Sequence, residues 1–450
     1  MKKILKCIYV ISFIFLLLQP VLVSAIYLEE YEEARTLYMA AAACTAVYSD
    51  RVGIIARDAL VQDGWKIQYY VGKDKKADAR FLFAKKSQEG SSIPLYLLSA
   101  VGTENIKDVK TDLRVGKVYF AGKGPEEFSE NAQRKNMPDT VPKVHEGFNQ
   151  YVQAGFSKEI VEEVGNSKKP FLDILQEDGD KKVYLVGHSL GGAGVTIGGA
   201  RLLEMGIKPE QVEVITFGAP AVGNHAFRQK YEPLLHLTRV VATGDPVTQA
   251  LQKLVGGYEQ FGREIRWQVP TLENPGPHQI TLYLDLAIKN YYQKRLQAVQ
   301  AGELSMPKQS FSTSETSRVF VAPLKNDLPE ELQAEFVYMK EALQDEYRAT
   351  FSNYMLAGEE TNEDIFQKAL AEKSEWVVVP TVQAHKVKDE ENVYYITLTQ
   401  RVYRVENRAV VHAASYGSST REMTPLEAFI HDMKTMSHDR QEWLGSDKGK

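Results

Sequence analysis

Lys181-Lys-Val-Tyr-Leu-Val-Gly-His-Ser-Leu-Gly-Gly-Ala-Gly-Val-Thr-Ile-Gly-Gly-Ala200 joins an apolar run to a segment rich in glycine. Lys181 to Val186 is a short, β-branched, apolar run of the kind that forms a buried strand. Gly187-His188-Ser189-Leu190-Gly191 then matches G-x-S-x-G, a sharp strand-to-helix turn that lifts a serine hydroxyl above a sheet. The glycines fit because the turn brings backbone against backbone, and the small side chains up to Ala200 suit a helix packed tightly on that sheet. A dinucleotide loop is the competing reading of the same glycines, but G-x-G-x-x-G is not in register. Strand, turn and helix in this order predict an α/β layer structure.

Working outward, the pattern of short apolar runs and longer helical segments holds from Ile26 to about Asn290. Candidate strands are Arg80 to Ala84, Leu95 to Val101, Lys117 to Phe120, Val183 to Val186, Val212 to Phe217, Thr238 to Ala242 and Glu264 to Gln268. We therefore expect an α/β domain over 26–291 with a mostly parallel central sheet. A polar stretch ending Pro307-Lys-Gln-Ser-Phe-Ser-Thr-Ser-Glu-Thr316 marks a linker, taken as 292–316. A smaller α+β domain over 317–440 follows, and 441–450 reads as a polar tail. Its cues are a strand from Arg318 to Pro323 and a helix with Leu332, Phe336, Met339, Leu343 and Tyr347 at helical spacing. Strands follow at Trp376 to Val379, Val393 to Thr399 and around Val402 to His412, with a closing helix from Thr424-Pro425.

Residues 1–25 read as a Sec signal peptide, with Lys2, Lys3 and Lys6, an apolar stretch from Ile8 to Leu18, and Val23-Ser24-Ala25 at the cleavage position. An uncleaved N-terminal anchor is the alternative; both predict export, to the periplasm or beyond the cell. Losing three lysines takes the formal charge from −5 to −8, which gives no electrostatic reason to expect nucleic acid or anionic lipid as a partner. Cys7 leaves with the signal, so Cys44, in the apolar run from Met39, has no partner for an internal disulfide and reads as core.

A serine on such a turn needs a base and an acid, and in α/β-hydrolases these follow it in the order acid, then histidine. The first aspartate after Ser189 is Asp245, reached from the strand Thr238 to Ala242 through Thr243-Gly244. His225 and His236 precede it and fail the order, which leaves His278, set after Pro275-Gly-Pro277 and before a helical run. Oxyanion donors are expected from the Leu190 amide and, after the strand from Leu97 to Gly102, from Thr103. No H-E-x-x-H or close cluster of ligand spacing is present, so no metal or cofactor is expected.

Several separated motifs resemble the class 3 lipases, the fungal-lipase-like branch of the α/β-hydrolases. They are Gly102-Thr103 with Asp108-Val109-Lys-Thr-Asp112-Leu113, Val144-His145-Glu146-Gly147-Phe148, and Gly187-His-Ser-Leu-Gly-Gly-Ala193. Thr216-Phe-Gly-Ala-Pro-Ala-Val-Gly-Asn224, Arg239-Val-Val-Ala-Thr-Gly-Asp245-Pro-Val247 and Tyr258 to Trp267 complete the set. The resemblance implies Ser189, Asp245 and His278 as a triad, Thr103 and Leu190 at the oxyanion hole, and acyl esters of lipids as substrates, with peripheral contact at a lipid surface. Val101 stands where that family carries arginine and Val109 where it carries tryptophan in the lid, so Gly122 to Pro142 or Leu251 to Val255 is expected to cover the site instead. An inactive envelope scaffold with a hydrolase-like domain is the alternative reading. The second domain is faintly similar to periplasmic domains such as that at the amino end of TolB, which implies an envelope protein or glycan partner.

Overall fold

The computed structural model describes residues 26–48, 51–74, 77–87, 93–101, 116–156, 161–164, 167–177, 181–269, 276–307, 317–358 and 364–446. The expected signal peptide, Thr103 and Val109 lie outside the described residues. Leu37–Leu286 forms one compact unit, and the segments to either side of it, up to Thr36 and from Ala287, form another.

The first unit is built on a seven-stranded sheet: β1 (Lys66–Asp74), β2 (Ala77–Lys86), β3 (Leu95–Ala100), β4 (Lys182–His188), β5 (Val212–Phe217), β6 (His236–Ala242) and β7 (Arg263–Trp267). They lie side by side in chain order, β1 to β3 as antiparallel neighbours and β3 to β7 in parallel. Parallel strands are covered on both faces and read as continuous apolar runs. Val183, Leu185 and Val186 of β4 and Val212, Val214 and Phe217 of β5 are accordingly buried. Edge strand β1, with Lys66, Gln68 and Tyr69 exposed, has no such run, which is why the sequence pattern misses it.

Helix α1 (Glu146–Phe156) and helix α2 (Leu190–Glu204) pack on this sheet. Gly191 through Leu202 are all buried. A Cβ on Gly191 would stand 2.2 Å from the Ala100 carbonyl oxygen, and one on Gly187 2.4 Å from the Gly191 backbone, so glycine is what lets helix and strands meet there. Buried Arg201 donates to Asn149 Oδ1 at 2.9 Å and Gln153 Oε1 at 2.8 Å, which ties α2 to α1. With a mostly parallel sheet, crossover helices and a serine turn after the fourth strand, this unit has the α/β-hydrolase fold.

Each stretch expected to cover the site sends a side chain into the core. Gly122 to Pro142 contains a helix, Pro125–Ala132, whose Phe128 packs on Phe120 at a centroid distance of 5.0 Å, and Leu251 is buried in the same cluster. Cys44 is buried as a free thiol, and burial raises its pKa.

Helix α3 (Ile280–Gln300) starts in the first unit and ends in the second, which corrects the linker expected over 292–316. Tyr292, Arg295 and Ala298 are buried, with Arg295 held by Glu341 at 2.7 Å and Asp345 at 2.7 Å. Polar composition concealed an anchored helix because its anchor is an ion-paired arginine rather than an apolar stripe. Residues 308–316 lie outside the described residues.

The start of the 26–291 domain is likewise different, because the first turns of helix 26–46 belong with the second unit. Lys294 pairs with Glu30 at 2.7 Å, the Leu28 amide donates to Glu303, and the Tyr31 and Tyr291 rings stand 5.7 Å apart.

The second unit carries a six-stranded sheet of β8 (Val319–Val321), β9 (Lys325–Asp327), β10 (Tyr354–Leu356), β11 (Trp376–Lys386), β12 (Tyr394–Arg404) and β13 (Val410–Ser419). Helix α4 (Phe336–Thr350) buries Met339, Leu343 and Tyr347, three of the residues expected at helical spacing. Helix α5 (Pro425–Ser446) starts at a reciprocal cap, in which the Thr424 amide donates to Glu427 and the Glu427 amide to Thr424 Oγ1. It continues into the stretch expected as a polar tail.

Candidate active site

Ser189 sits between β4 and α2 with φ 56° and ψ −123°, a conformation unfavourable for any residue but glycine by about 1–3 kcal/mol. Two backbone bonds hold it there: the Ser189 amide donates to the Phe217 carbonyl at 3.0 Å, and the Ala193 amide to the Ser189 carbonyl at 3.1 Å. Asp245 follows β6 across a tight turn that needs Gly244 at φ +90°, its amide donating to the Ala242 carbonyl at 3.1 Å. His278 lies in the turn ahead of α3, which the Gln279 amide closes on the Gly276 carbonyl at 2.9 Å.

These three turns bring the residues found by order into one hydrogen-bonded series. Ser189 Oγ lies 2.9 Å from His278 Nε2, and His278 Nδ1 lies 3.0 and 2.9 Å from the two oxygens of Asp245. The three residues are nearly closed to solvent, at 3% exposure for Ser189, 5% for His278 and 7% for Asp245. With Nδ1–H donating to the carboxylate, Nε2 is left with a lone pair directed at the serine hydroxyl, which then donates to it.

Asp245 accepts hydrogen bonds from two further donors. The Val247 amide donates to Oδ1 at 2.9 Å, and the Tyr283 hydroxyl to Oδ2 at 2.6 Å. The same hydroxyl accepts from the Ala242 amide at 3.0 Å, so Tyr283 links the end of β6 to the acid. Burial, and after it the negative charge of Asp245, raises the Tyr283 phenol far above its ordinary range, so it stays a donor. Nothing in the sequence singled out Tyr283: a tyrosine one turn into a helix reads as core, and its partner is 38 residues away.

Two other residues escaped the sequence reading. Gly218, at φ +58°, lies so close beneath the pair that a Cβ there would meet Asp245 Oδ2 at 2.5 Å and Tyr283 Oη at 3.0 Å. His188, the variable position of G-x-S-x-G, turns its Nε2–H to the backbone carbonyl of His278 at 2.7 Å. Burial, and then the neighbouring His278, pushes its pKa down to about 3, so it is a neutral donor at any physiological pH.

Of the expected oxyanion donors, Leu190 is the first residue of α2, where a first-turn amide has no carbonyl of its own helix to bond. Thr103 lies outside the described residues. Among the described residues, no group of three or more His, Cys, Asp or Glu side chains is placed to hold a metal ion.

Residues 97–254 match the family model of lipase (class 3). The class 3 lipase match includes Ser189 and Asp245 and ends before His278. The chain is 43% identical over 67 residues to lipase ZK262.3 of Caenorhabditis elegans, a segment that covers 14% of this chain and 19% of that protein. It is 32% identical over 147 residues to toxin TseL of Vibrio cholerae, covering 32% of this chain and 18% of that one. The chain thus spans less than a fifth of the length of either relative. Among solved structures, lipase II from Rhizopus niveus is similar with TM-score 0.40 and 20% identity, over 53% of this chain and 82% of that one. The triacylglyceride lipase of Rhizomucor miehei is similar with TM-score 0.37 and 19% identity, over 52% and 80%.

Proposed function

We propose that this chain is an exported serine ester hydrolase that cleaves acyl esters of lipids through an acyl-enzyme on Ser189. The observation that carries this reading is the series Ser189, His278, Asp245 with 2.9 to 3.0 Å spacings in a nearly dry site. A free serine hydroxyl is a weak nucleophile near neutral pH, and an adjacent base makes it competent.

In the proposed reaction His278 Nε2 takes the Ser189 proton as Oγ attacks the ester carbonyl. Asp245 keeps the imidazole in the Nδ1–H tautomer and balances the positive charge it acquires. Tyr283 and the Val247 amide hold that carboxylate in orientation. The Leu190 amide, joined by Thr103 on the family pattern, receives the negative charge developing on the carbonyl oxygen. His278 then returns its proton to the departing alcohol, and water, activated by the same imidazole, releases the acid from Ser189.

Lipid esters as the substrate class rest on the class 3 lipase match over residues 97–254, and export on the pattern of residues 1–25. The inactive-scaffold reading has less support, because every polar atom the reaction needs from Ser189, His278 and Asp245 is present and aligned. The test is hydrolysis of p-nitrophenyl esters of graded chain length, followed by acylglycerols and phospholipids. Turnover that vanishes in Ser189→Ala supports the reading, and turnover unchanged by that substitution rejects it.

A further inference from the structure

A cleft of about 380 Å³ lies on the sheet at β6 and β7, and no residue lining it is apolar. Binding clefts are mostly apolar with a few polar groups, so this lining selects a polar occupant. Arg239 on β6 faces its register neighbour Glu264 on β7, with Arg266 two residues further along the strand. Lys253 and Gln252 come from the helical turns that follow Asp245.

The charges do not balance within the lining. Glu264 is the only carboxylate in the lining, and both its oxygens are engaged, one by Arg239 Nη2 at 2.9 Å and the other by Arg266. Lys253 has no carboxylate partner among the described residues. Arg239 is only 9% exposed and spends Nε on the Phe261 carbonyl at 2.9 Å, which leaves Nη1 unbonded among the described residues. The buried amide oxygen of Gln252 also has no partner among them, and a hydroxyl-bearing ligand would satisfy it. A salt-bridge network would explain Arg239, Glu264 and Arg266 but leaves Lys253 unpaired by it and the lining two charges positive.

We propose that this cleft binds a phosphate monoester, as a soluble organic phosphate or as a lipid headgroup. Guanidinium groups suit phosphate oxygens by geometry as well as charge, and the ammonium adds a point charge. The site is also continuous with the acid loop, since Thr248, in its wall, donates Oγ1–H to the Asp245 carbonyl at 3.1 Å.

The test is calorimetric titration of the full chain with inorganic phosphate and glycerol 3-phosphate at low ionic strength, alongside sedimentation with phosphatidic acid or phosphatidylcholine vesicles. Saturable binding of the soluble phosphates that weakens tenfold or more in the Lys253→Gln, Arg266→Gln double variant supports the proposal. Binding only to phosphatidic acid vesicles with the same dependence supports it with a headgroup as the source. Should the double variant fail to fold, Lys253→Gln alone, at an exposed position, is expected to weaken binding at least threefold. Absence of saturable binding, or binding that these substitutions leave unchanged, overturns it. The readout uses no hydrolysis, and Ser189→Ala is expected to bind as the unsubstituted chain does, so failure here is distinct from failure of the esterase reading.

Discussion

His188 donates its Nε2–H to the backbone carbonyl of His278 at 2.7 Å, so the residue beside the serine fixes the main chain of the residue that serves it. The two rings lie 4.8 Å apart, inside the same buried site. This bond joins the tip of β4 to the turn before α3, between residues 90 positions apart in the chain. It positions the imidazole without touching the reacting atoms.

Replacing His188 by glutamine keeps an N–H at nearly the place of Nε2, whereas phenylalanine removes it and leaves a buried carbonyl unpaired at a cost of about 1–3 kcal/mol. We expect His188→Gln to retain most of kcat and His188→Phe to lose roughly tenfold or more, with KM little changed in both. Equal losses in the two variants would show that bulk rather than the hydrogen bond matters. Steady-state kinetics on a soluble ester decides.

The same histidine makes a pH prediction. Its pKa is about 3 when folded against 6.5 in a free side chain, so between these values the unfolded chain binds a proton that the native chain does not. Stability from this group is therefore complete above pH 6.5 and declines as pH falls toward 3, by up to about 1.4 kcal/mol per pH unit. Denaturant unfolding at pH 7, 6, 5 and 4 should show that slope, and His188→Gln should flatten it by that amount.

Tyr283→Phe removes one hydrogen bond to the Asp245 carboxylate and the acceptor of the Ala242 amide. Bonds to a charged group contribute about 1.5–3 kcal/mol, so kcat should drop roughly 10- to 100-fold. The thermal midpoint should drop by only a few degrees. A kcat equal to that of the unsubstituted chain would remove Tyr283 from the account.

At Gly218 a single methyl is enough. A Cβ would sit 2.5 Å from Asp245 Oδ2 at a backbone φ of +58°, so Gly218→Ala must displace the acid or break the turn. Activity should fall at least a hundredfold, while the circular dichroism spectrum remains that of a folded α/β protein. Full activity would mean that the acid is not held where it is needed.

The sheet and the three central residues were legible in sequence because parallel strands are apolar and because the order serine, acid, histidine leaves few candidates. Edge strand β1 was not, since its solvent-facing residues break the pattern. Helix α3 was cut short at 291 because its second half is anchored by Arg295 and its carboxylates, which read as surface. Tyr283, His188 and Gly218 were invisible for another reason: each matters through an atom brought close by folding, and neither residue type nor spacing announces such a neighbour.

Whether Ser189 is an activated nucleophile is read by labelling the purified chain with a fluorophosphonate and identifying the modified peptide by mass spectrometry. One adduct is expected, on Ser189, formed far more slowly in Asp245→Asn and absent in Ser189→Ala. A native, folded chain that takes no label at Ser189, or takes it with equal speed when Asp245 is replaced, would contradict it.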